Sequence, residues 1–519
     1  MTSIENLPDD VAQLKNLAWD YYQQTQWLQQ RIDLLQSALF CPKSEKSKKL
    51  LSNYTLPLPI ERVEAPEPTV QEEPPTEEVK TYTRVKRGRR PLPENLPRID
   101  VVHDLSEEEK VCSCGACLKR IGEEVCEKLD YVPATMRVER HVRFKYACPA
   151  CDGQEGSPVV HIASVPPQII PKGLATPGLL AQIMAAKLVD AIPFYRQNKQ
   201  FARLGVDMSR NCMSAWALHI AHAFPPLLGL FQKEIRSGPV INMDDTTLQV
   251  LSEPGRSNTS KSYLWLFRGG DPDRPTVVFR YEPSRASRIP KNYLGNYTGY
   301  IQTDGYIGYQ ALGASDGITH VGCMVHIRRK FKEVQKITSK KTVQGTAKEI
   351  LVLIERLYKI EHEIKEHSPN QKVEVRLEKS LPVLNSMRAI LDERAPLVPP
   401  SSLLAKAIAY ARNQWPKTVA YVHCGLLTPD NNLAENAIRP IALGRKNWLF
   451  CGGPKGAEAS AAFFSLIETA KANNIQPQAY LKFLFERLPL AASENDLREI
   501  MPQYLDRSLL PQFRNTAKA

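Results

Sequence analysis

The sequence predicts a multidomain protein of the α+β or α/β class, in which a mixed sheet with a helical insertion follows a coiled-coil helix, a metal-binding domain and a helical domain. Three observations support this prediction. The 519 residues are 43% hydrophobic, which is enough apolar mass for two or three folded units. The apolar periodicity changes from helical to strand-like near Pro239. A proline-rich acidic segment separates the first periodic stretch from the rest, so we expect it to connect domains.

The composition favours a nucleic-acid partner. Sixty-eight Lys and Arg against 56 Asp and Glu give a formal charge of +12, which attracts polyanions. No apolar run reaches the roughly 18 residues of a membrane span, and the N-terminus is polar and acidic. We therefore expect a cytoplasmic protein without membrane contact. Eleven cysteines in that compartment argue against a disulfide framework and for metal binding.

Residues 1–52 are predicted to contain a short coiled-coil helix. Apolar residues recur at alternating spacings of four and three from Leu14 to Leu39. The alternative is a helix that packs on its own protein, because Ala18 and Thr25 interrupt the seam. Residues 53–83 are rich in proline and glutamate and read as a flexible acidic linker.

Residues 84–165 are predicted to hold a basic strip and a zinc-binding domain. The strip runs from Arg84 to Pro91 and suits phosphates or a minor groove, with a solvated charge run as the alternative; its candidate DNA contacts are Arg87, Arg89 and Arg90. Two Cys-x-x-Cys pairs about thirty residues apart match the four thiolates of structural zinc. These ligands are Cys114, Cys117, Cys148 and Cys151, with Cys112 as the alternative to Cys117. A strand-like segment from Arg137 to Tyr146 leads into the second pair.

Residues 166–236 are predicted to be a helical domain. The helical segments run over 178–188, 193–198 and 209–224, with Ser209 as an N-cap. A helical bundle next to a basic zinc-binding domain is consistent with a helix-turn-helix DNA-binding domain. The alternative is a helical bundle that only links the neighbouring domains.

Residues 237–450 are predicted to form the catalytic core, and residues 451–519 a C-terminal helical region. Three strands in series are expected first, at 240–244, 262–268 and 276–281, and the turn between the last two spans 269–273. A helix near 288–294, a strand at 299–304, a short helix around Tyr309 and a strand at 319–325 follow. This is the element order of a ribonuclease H-like sheet. A helical insertion at about 340–415 is expected from helical stretches at 346–366, 373–393 and 402–414.

In that fold the first and fourth strands are neighbours, so acids near their ends meet. Asp244 and Asp304 occupy those positions, and Glu435 supplies a third acid from a helix that Asp430 is expected to cap. Carboxylates suit Mg²⁺, or Mn²⁺, because hard cations prefer oxygen ligands. Two such ions about 3.5–4 Å apart support an in-line phosphoryl transfer.

Each acid has a competitor. Asp245 adjoins Asp244, but successive strand side chains point to opposite faces, so only one enters the site; register with Asn242 favours Asp244. Asp430 competes with Glu435 and is interpreted as a cap. A basic helix beside the site is expected to hold phosphate or a flanking strand, with a solvated face as the alternative; its residues are His326, Arg328, Arg329 and Lys330.

These segments together resemble the insertion sequence 66 family of bacterial DDE transposases over most of the chain. The resemblance is carried by short motifs that occur in order: Ser44–Lys46, Arg90–Pro93, Ile121–Glu124, Leu129–Pro133, Asp244–Thr246, Gln302–Tyr306, Cys323–Phe331, Asp430–Pro440, Gly444–Phe450 and Ser465–Lys471. Two positions depart from the family pattern, which usually has Glu at Asp245 and Arg at Asn436. Neither is a proposed ligand, although the second departure predicts a weaker phosphate contact.

The resemblance implies a transposase that binds the terminal inverted repeats of its own element and carries out metal-dependent strand cleavage and transfer. It assigns the catalytic roles to Asp244, Asp304 and Glu435 and implies a leucine-zipper-like helix and structural Zn²⁺. The expected partners are double-stranded DNA, including target DNA, further copies of the chain and accessory proteins of the element, with nucleoid association when DNA is bound. The alternatives are a nuclease or resolvase without strand transfer, and a non-catalytic zinc-dependent DNA-binding relic.

Overall fold

The structure is a computed structural model, and it describes residues 136–146, 161–314, 316–337 and 345–510, together with Asp10, Lys15, Tyr21 and Thr25. The chain divides into two units, residues 54–141 and residues 1–53 with 142–519. Several predictions lie outside the described residues: most of the coiled-coil seam, the acidic linker, the basic strip with Arg87, Arg89 and Arg90, and the cysteines Cys112, Cys114, Cys117, Cys148 and Cys151.

A small antiparallel ribbon pairs β1 (Lys145–Tyr146) with β2 (His161–Ile162). The predicted strand from Arg137 to Tyr146 is wrong in its start, because no strand is formed before Lys145 in the described stretch 136–146. Val138 is 96% exposed and Phe144 is 67% exposed, so the apolar side chains of this stretch are not buried as they would be in a packed strand.

Four helices precede the sheet: α1 (Pro177–Leu188), α2 (Phe194–Arg203), α3 (Arg210–Ala221) and α4 (Pro225–Ser237). The predicted N-cap is confirmed, since Ser209 Oγ accepts a hydrogen bond from Cys212 N at 3.2 Å. Helix α3 ends three residues before Phe224, and a proline then opens α4. Buried residues of these helices belong to the same hydrophobic core as the sheet.

A five-stranded mixed sheet follows: β3 (Val240–Gln249), β4 (Lys261–Asp271), β5 (Arg274–Glu282), β6 (Gly299–Gln302) and β7 (Ile318–Val321). The spatial order is β5-β4-β3-β6-β7, with β3, β4 and β5 antiparallel and β3, β6 and β7 parallel. The expectation that the first and fourth strands are neighbours is confirmed. The predicted turn was too long, because Gly269 and Gly270 lie inside β4.

The connections also follow the predicted order. Helix α5 (Arg288–Leu294) joins β5 to β6, and a 3-10 helix (Ile307–Ala314) joins β6 to β7. The prediction that the fifth strand reaches Val325 is wrong: β7 ends at Val321. Beyond it, Gly322 N donates to Lys417 O at 3.0 Å and Met324 N to Pro429 O at 2.8 Å, so these amides bond to other segments instead of a strand.

The insertion is helical, as predicted. Helix α6 (Met324–Ile337) precedes it, and the insertion comprises α7 (Thr346–Glu363), α8 (Pro369–Val375), a π-helical turn (Arg376–Ser380), α9 (Leu381–Arg394) and α10 (Leu403–Val419). The helix expected over 373–393 is therefore three segments. The π turn begins at the buried Arg376, whose guanidinium pairs with Glu361 at 2.6 Å and donates to three carbonyls. These helices and α6 form a second hydrophobic core.

The C-terminal part contains α11 (Asn432–Trp448), α12 (Pro454–Ala472), α13 (Pro477–Arg487) and α14 (Glu494–Glu499). Helix α12 covers the edge strand β5. Phe279 N donates to Ser465 Oγ at 2.8 Å, Val277 N donates to Thr469 Oγ1 at 2.9 Å, and Asn473 Nδ2 donates to Pro275 O at 2.8 Å. The i, i+4, i+8 side chains of the helix thus satisfy alternate residues of an edge that would otherwise be open to pairing.

Candidate active site

Asp244 lies within β3, whereas Asp304 lies two residues beyond the end of the neighbouring parallel strand β6, so the prediction that the fourth strand reaches Asp304 is wrong. Asn242 of β3 pairs with Gln302 of β6, and Asp244 and Asp304 each follow two residues later. Burial raises the pKa of Asp244 well above its ordinary value, and the negative charge of Asp304 raises it further. The first and second predicted acids are therefore close enough for their charges to interact.

Asp245 forms an ion pair with Arg285. Its Oδ1 lies 2.8 Å from a guanidinium nitrogen of Arg285, and it accepts a longer hydrogen bond from Tyr309 Oη at 3.4 Å. The Arg285 guanidinium also stacks on Tyr306, 3.4 Å from the ring centroid. Asp245 thereby ties β3 to the loop after Asp304, while Asp244 Oδ1 accepts from the backbone amide of Asp245 at 2.8 Å. This division of contacts favours Asp244 over Asp245 as the metal-facing acid.

Glu435 lies in the first turn of α11 and faces the same neighbourhood, since its charge also contributes to the raised pKa of Asp244. Its Oε1 lies 3.7 Å from His326 Nδ1, and its Oε2 lies 4.0 Å from Arg329 Nη2. The charges of Asp304 and Glu435 thus both act on Asp244, although the three acids come from a strand, a loop and a helix far apart in sequence.

A buried amide cluster holds the start of α11 against the sheet. Asn431 Nδ2 donates to Met243 O at 2.8 Å, and Asn242 Nδ2 donates both to Asn431 Oδ1 at 3.1 Å and to Gln302 Oε1 at 3.0 Å. Gln302 Nε2 in turn donates to Thr428 O at 2.7 Å. These bonds join β3, β6 and the loop before α11, so they position Glu435 relative to the two aspartates.

The predicted cap of this helix was one residue off. Asn431 is the N-cap residue, but its side chain makes no capping bond because the amide is used in the buried cluster. Asp430 compensates: its Oδ1 accepts from Asn432 N at 3.0 Å, and the residue is only 8% exposed. Asp430 therefore satisfies a backbone amide at the start of the helix. This agrees with its interpretation as a capping acid rather than a metal ligand.

The basic residues of α6 point in different directions. His326 and Arg329, one helical turn apart, face Glu435. Lys330 Nζ lies 6.0 Å from the ring centroid of Tyr410, and the charge of Arg328 acts on Tyr358 of α7. Two of the four predicted residues thus border the acids, and two face the insertion.

Tyr410, from the insertion helix α10, is a site residue that sequence reasoning missed. Its ring lies over Gly305, where an added Cβ would overlap the tyrosine. Burial and the charge of Asp304 raise the pKa of Tyr410 to about 12. No local pattern signals this contact, which depends on how the insertion folds back over β6.

Comparison with protein families agrees with this arrangement. The model described as "Transposase IS66 family" matches residues 172–459, which is more than half of the 519-residue chain. The chain belongs to this family. The "IS66 C-terminal element" matches residues 465–503, the "zinc-finger binding domain of transposase IS66" matches residues 109–152, and "Transposase C of IS166 homeodomain" matches residues 27–101.

Relatives in Sinorhizobium fredii extend over nearly the whole chain. Uncharacterized protein y4jD is 31% identical over 511 residues, covering 96% of this chain and 97% of the relative. Uncharacterized protein y4qI is 29% identical over 506 residues, covering 95% of this chain and 91% of the relative. The family resemblance expected from the sequence is therefore confirmed, and the matched domains make this a transposase-family protein with DNA-binding and zinc-finger domains.

The zinc-finger match includes all five candidate zinc ligands, Cys112, Cys114, Cys117, Cys148 and Cys151, and supports a structural zinc ion in that domain. The choice between Cys112 and Cys117 stays a prediction. Among the described helices, none combines the length and apolar character needed to cross a membrane.

Proposed function

We propose that the protein is a DDE transposase that cleaves DNA at the terminal inverted repeats of its element and joins the ends to target DNA. The observation that supports this proposal is that the charges of Asp304 and Glu435 both act on the buried Asp244, with Glu435 beside the basic helix α6. The sheet order β5-β4-β3-β6-β7 supports a ribonuclease H-like core with a helical insertion.

The donor set fits Mg²⁺ or Mn²⁺. A desolvated aspartate whose pKa is raised by a second carboxylate is poorly stabilised without a cation, and carboxylate oxygens are the ligands that hard cations prefer. Asp244, Asp304 and Glu435 would hold the ion, which supplies stabilisation for negative charge on a phosphoryl group. Arg329 lies at the margin of the acids and is 48% exposed, so it is available to a DNA phosphate.

The remaining parts of the chain are proposed to deliver DNA to this site. We assign residues 1–52 to self-association, 84–165 to DNA and zinc binding, and 166–236 to a helical segment with a DNA-binding or linking role. The net charge of +12 supports binding to double-stranded DNA. Arg87, Arg89 and Arg90 are the proposed phosphate contacts of the basic strip.

The test is cleavage of DNA that carries the element's ends, with Mg²⁺ and then with EDTA. Wild type is compared with Asp244→Asn, Asp304→Asn and Glu435→Gln, and with Asp273→Asn as a matched control in the exposed turn after β4. We expect metal-dependent cleavage that falls at least about a thousandfold in the three variants and persists in the control. Cleavage that survives all three substitutions would refute the site.

Strand transfer is tested separately with pre-cleaved 3′ ends and a second DNA. Joined product from wild type, absent with Asp304→Asn, supports the transposase. Cleavage without joining would instead favour a nuclease or resolvase, and end binding without cleavage would favour the non-catalytic relic.

A further inference from the structure

Three potential metal ligands of different chemistry meet beside the proposed catalytic acids. The Sγ of Cys323, a ring nitrogen of His326 and a carboxylate oxygen of Glu435 all lie within 4.8 Å of one another. Cys323 precedes α6 and His326 lies in its first turn, three residues later, so both face the first turn of α11. This group is separate from the cysteines of the zinc-finger match.

The contact between His326 and Glu435 leaves two polar atoms unsatisfied. His326 Nδ1 and Glu435 Oε1 are buried and, within the described residues, have no hydrogen-bond partner. They lie 3.7 Å apart, which is too long for a hydrogen bond. Two ligands about 2.0–2.2 Å from one tetrahedral ion are about 3.4 Å apart, close to the observed separation.

Cys323 adds a soft donor to the pair. Its Sγ accepts a hydrogen bond from Asn431 N at 3.3 Å, a contact that stabilises negative charge on sulfur. Because Cys binds a metal ion as the thiolate, metal binding releases the thiol proton to solvent. Sulfur, imidazole and carboxylate together suit Zn²⁺ rather than Mg²⁺, and shifts of about 1 Å would bring the three atoms to tetrahedral spacing.

We propose that Cys323, His326 and Glu435 form a second metal site, selective for Zn²⁺ and similar borderline cations, that draws Glu435 away from Asp244 and Asp304. Zn²⁺ occupancy therefore inhibits the catalytic centre. The proposed Zn²⁺ site is inferred only from the geometry of its three ligands. The proposed inhibition also depends on the proposed function.

Equilibrium dialysis of the full chain against Zn²⁺, with its zinc-finger domain already loaded, tests the binding. Wild type should bind one equivalent more than Cys323→Ser, Cys323→Ala or His326→Gln. Cys212→Ser and His222→Gln are matched controls outside the group and should bind as wild type does. Co²⁺ in place of Zn²⁺ should give a thiolate charge-transfer band that is lost in Cys323→Ser and kept in Cys212→Ser. Equal stoichiometry in wild type and all site variants would overturn the proposal.

Asp304→Asn separates this proposal from the catalytic one. It should keep the additional Zn²⁺, since Asp304 is not a ligand of the second site, and loss of that Zn²⁺ would overturn the proposal. In Mg²⁺-dependent cleavage, the Zn²⁺ concentration for half inhibition should rise at least about tenfold in Cys323→Ser relative to Cys212→Ser; an unchanged value would refute the inhibition. If Asp304→Asn instead keeps full Mg²⁺-dependent cleavage, the catalytic assignment fails while the Zn²⁺ count still decides the second site.

Discussion

Replacing Asn431 by alanine is the sharpest test of how the acids are positioned. The side chain is 1% exposed and makes two hydrogen bonds, donating to Met243 O at 2.8 Å and accepting from Asn242 Nδ2 at 3.1 Å. Alanine removes both and leaves one N–H of the buried Asn242 amide without its acceptor. A lost hydrogen bond costs about 0.5–1.5 kcal/mol, and an orphaned buried donor about 1–3 kcal/mol. We therefore expect the free energy of unfolding to fall by about 2–4 kcal/mol.

The assay is urea unfolding followed by far-UV circular dichroism. Asn432→Ala, at the next and exposed position, is the matched control and should change stability by less than about 0.5 kcal/mol. Asn431→Asp keeps the shape but turns a carboxylate oxygen towards Met243 O, so it should destabilise at least as much as alanine.

Cleavage provides a second readout of the same substitution. If the amide cluster positions Glu435, Asn431→Ala should lower Mg²⁺-dependent cleavage at least about tenfold at a temperature where the variant is folded. A loss of stability under about 0.5 kcal/mol, or equal effects of Asn431→Ala and Asn432→Ala, would refute the reasoning.

Three further predictions concern the scaffold. Arg376→Met should destabilise the chain by about 3–5 kcal/mol in urea unfolding, because it leaves Glu361 and three buried carbonyls without their partner. Gly238→Ala should cost about 3 kcal/mol or more in thermal unfolding, since its Cβ would overlap the backbone carbonyl of Gly270. Burial raises the pKa of Glu468, against the opposing effect of its 2.8 Å ion pair with Lys471, so the folded state binds this proton more tightly than the unfolded chain does. Stability from this group is lost as pH rises, and Glu468→Gln should gain stability over wild type above pH 4.5, measured by unfolding at several pH values.

Each of these predictions has its own control. Arg388→Met removes a half-exposed arginine from the same insertion and should cost less than about 1 kcal/mol; a cost equal to that of Arg376→Met would contradict the buried-pair argument. Gly229→Ala lies in α4 with open space around its Cβ and should stabilise by about 0.5–1 kcal/mol. For Glu468→Gln, a difference from wild type that does not vary with pH would exclude the protonation argument.

Local patterns predicted most of the elements and the identity of the acids. Strand-like apolar segments identified the five strands, and their sequence along the chain predicted the neighbouring first and fourth strands through the ribonuclease H-like order. Strand ends were less predictable. Val321 ends β7 because the following amides bond to Lys417 and Pro429, and neither partner is visible in the local sequence.

The sequence by itself determined the family, the strand order and the three candidate acids, since these depend on residue types in local or ordered patterns. The tertiary structure decided further contacts. It paired Asp245 with Arg285, and it used Asn431 to anchor a helix rather than to cap it. It also brought Cys323 and His326 to Glu435. Such contacts join residues far apart in the chain, so their energies depend on a packing geometry that no local pattern encodes.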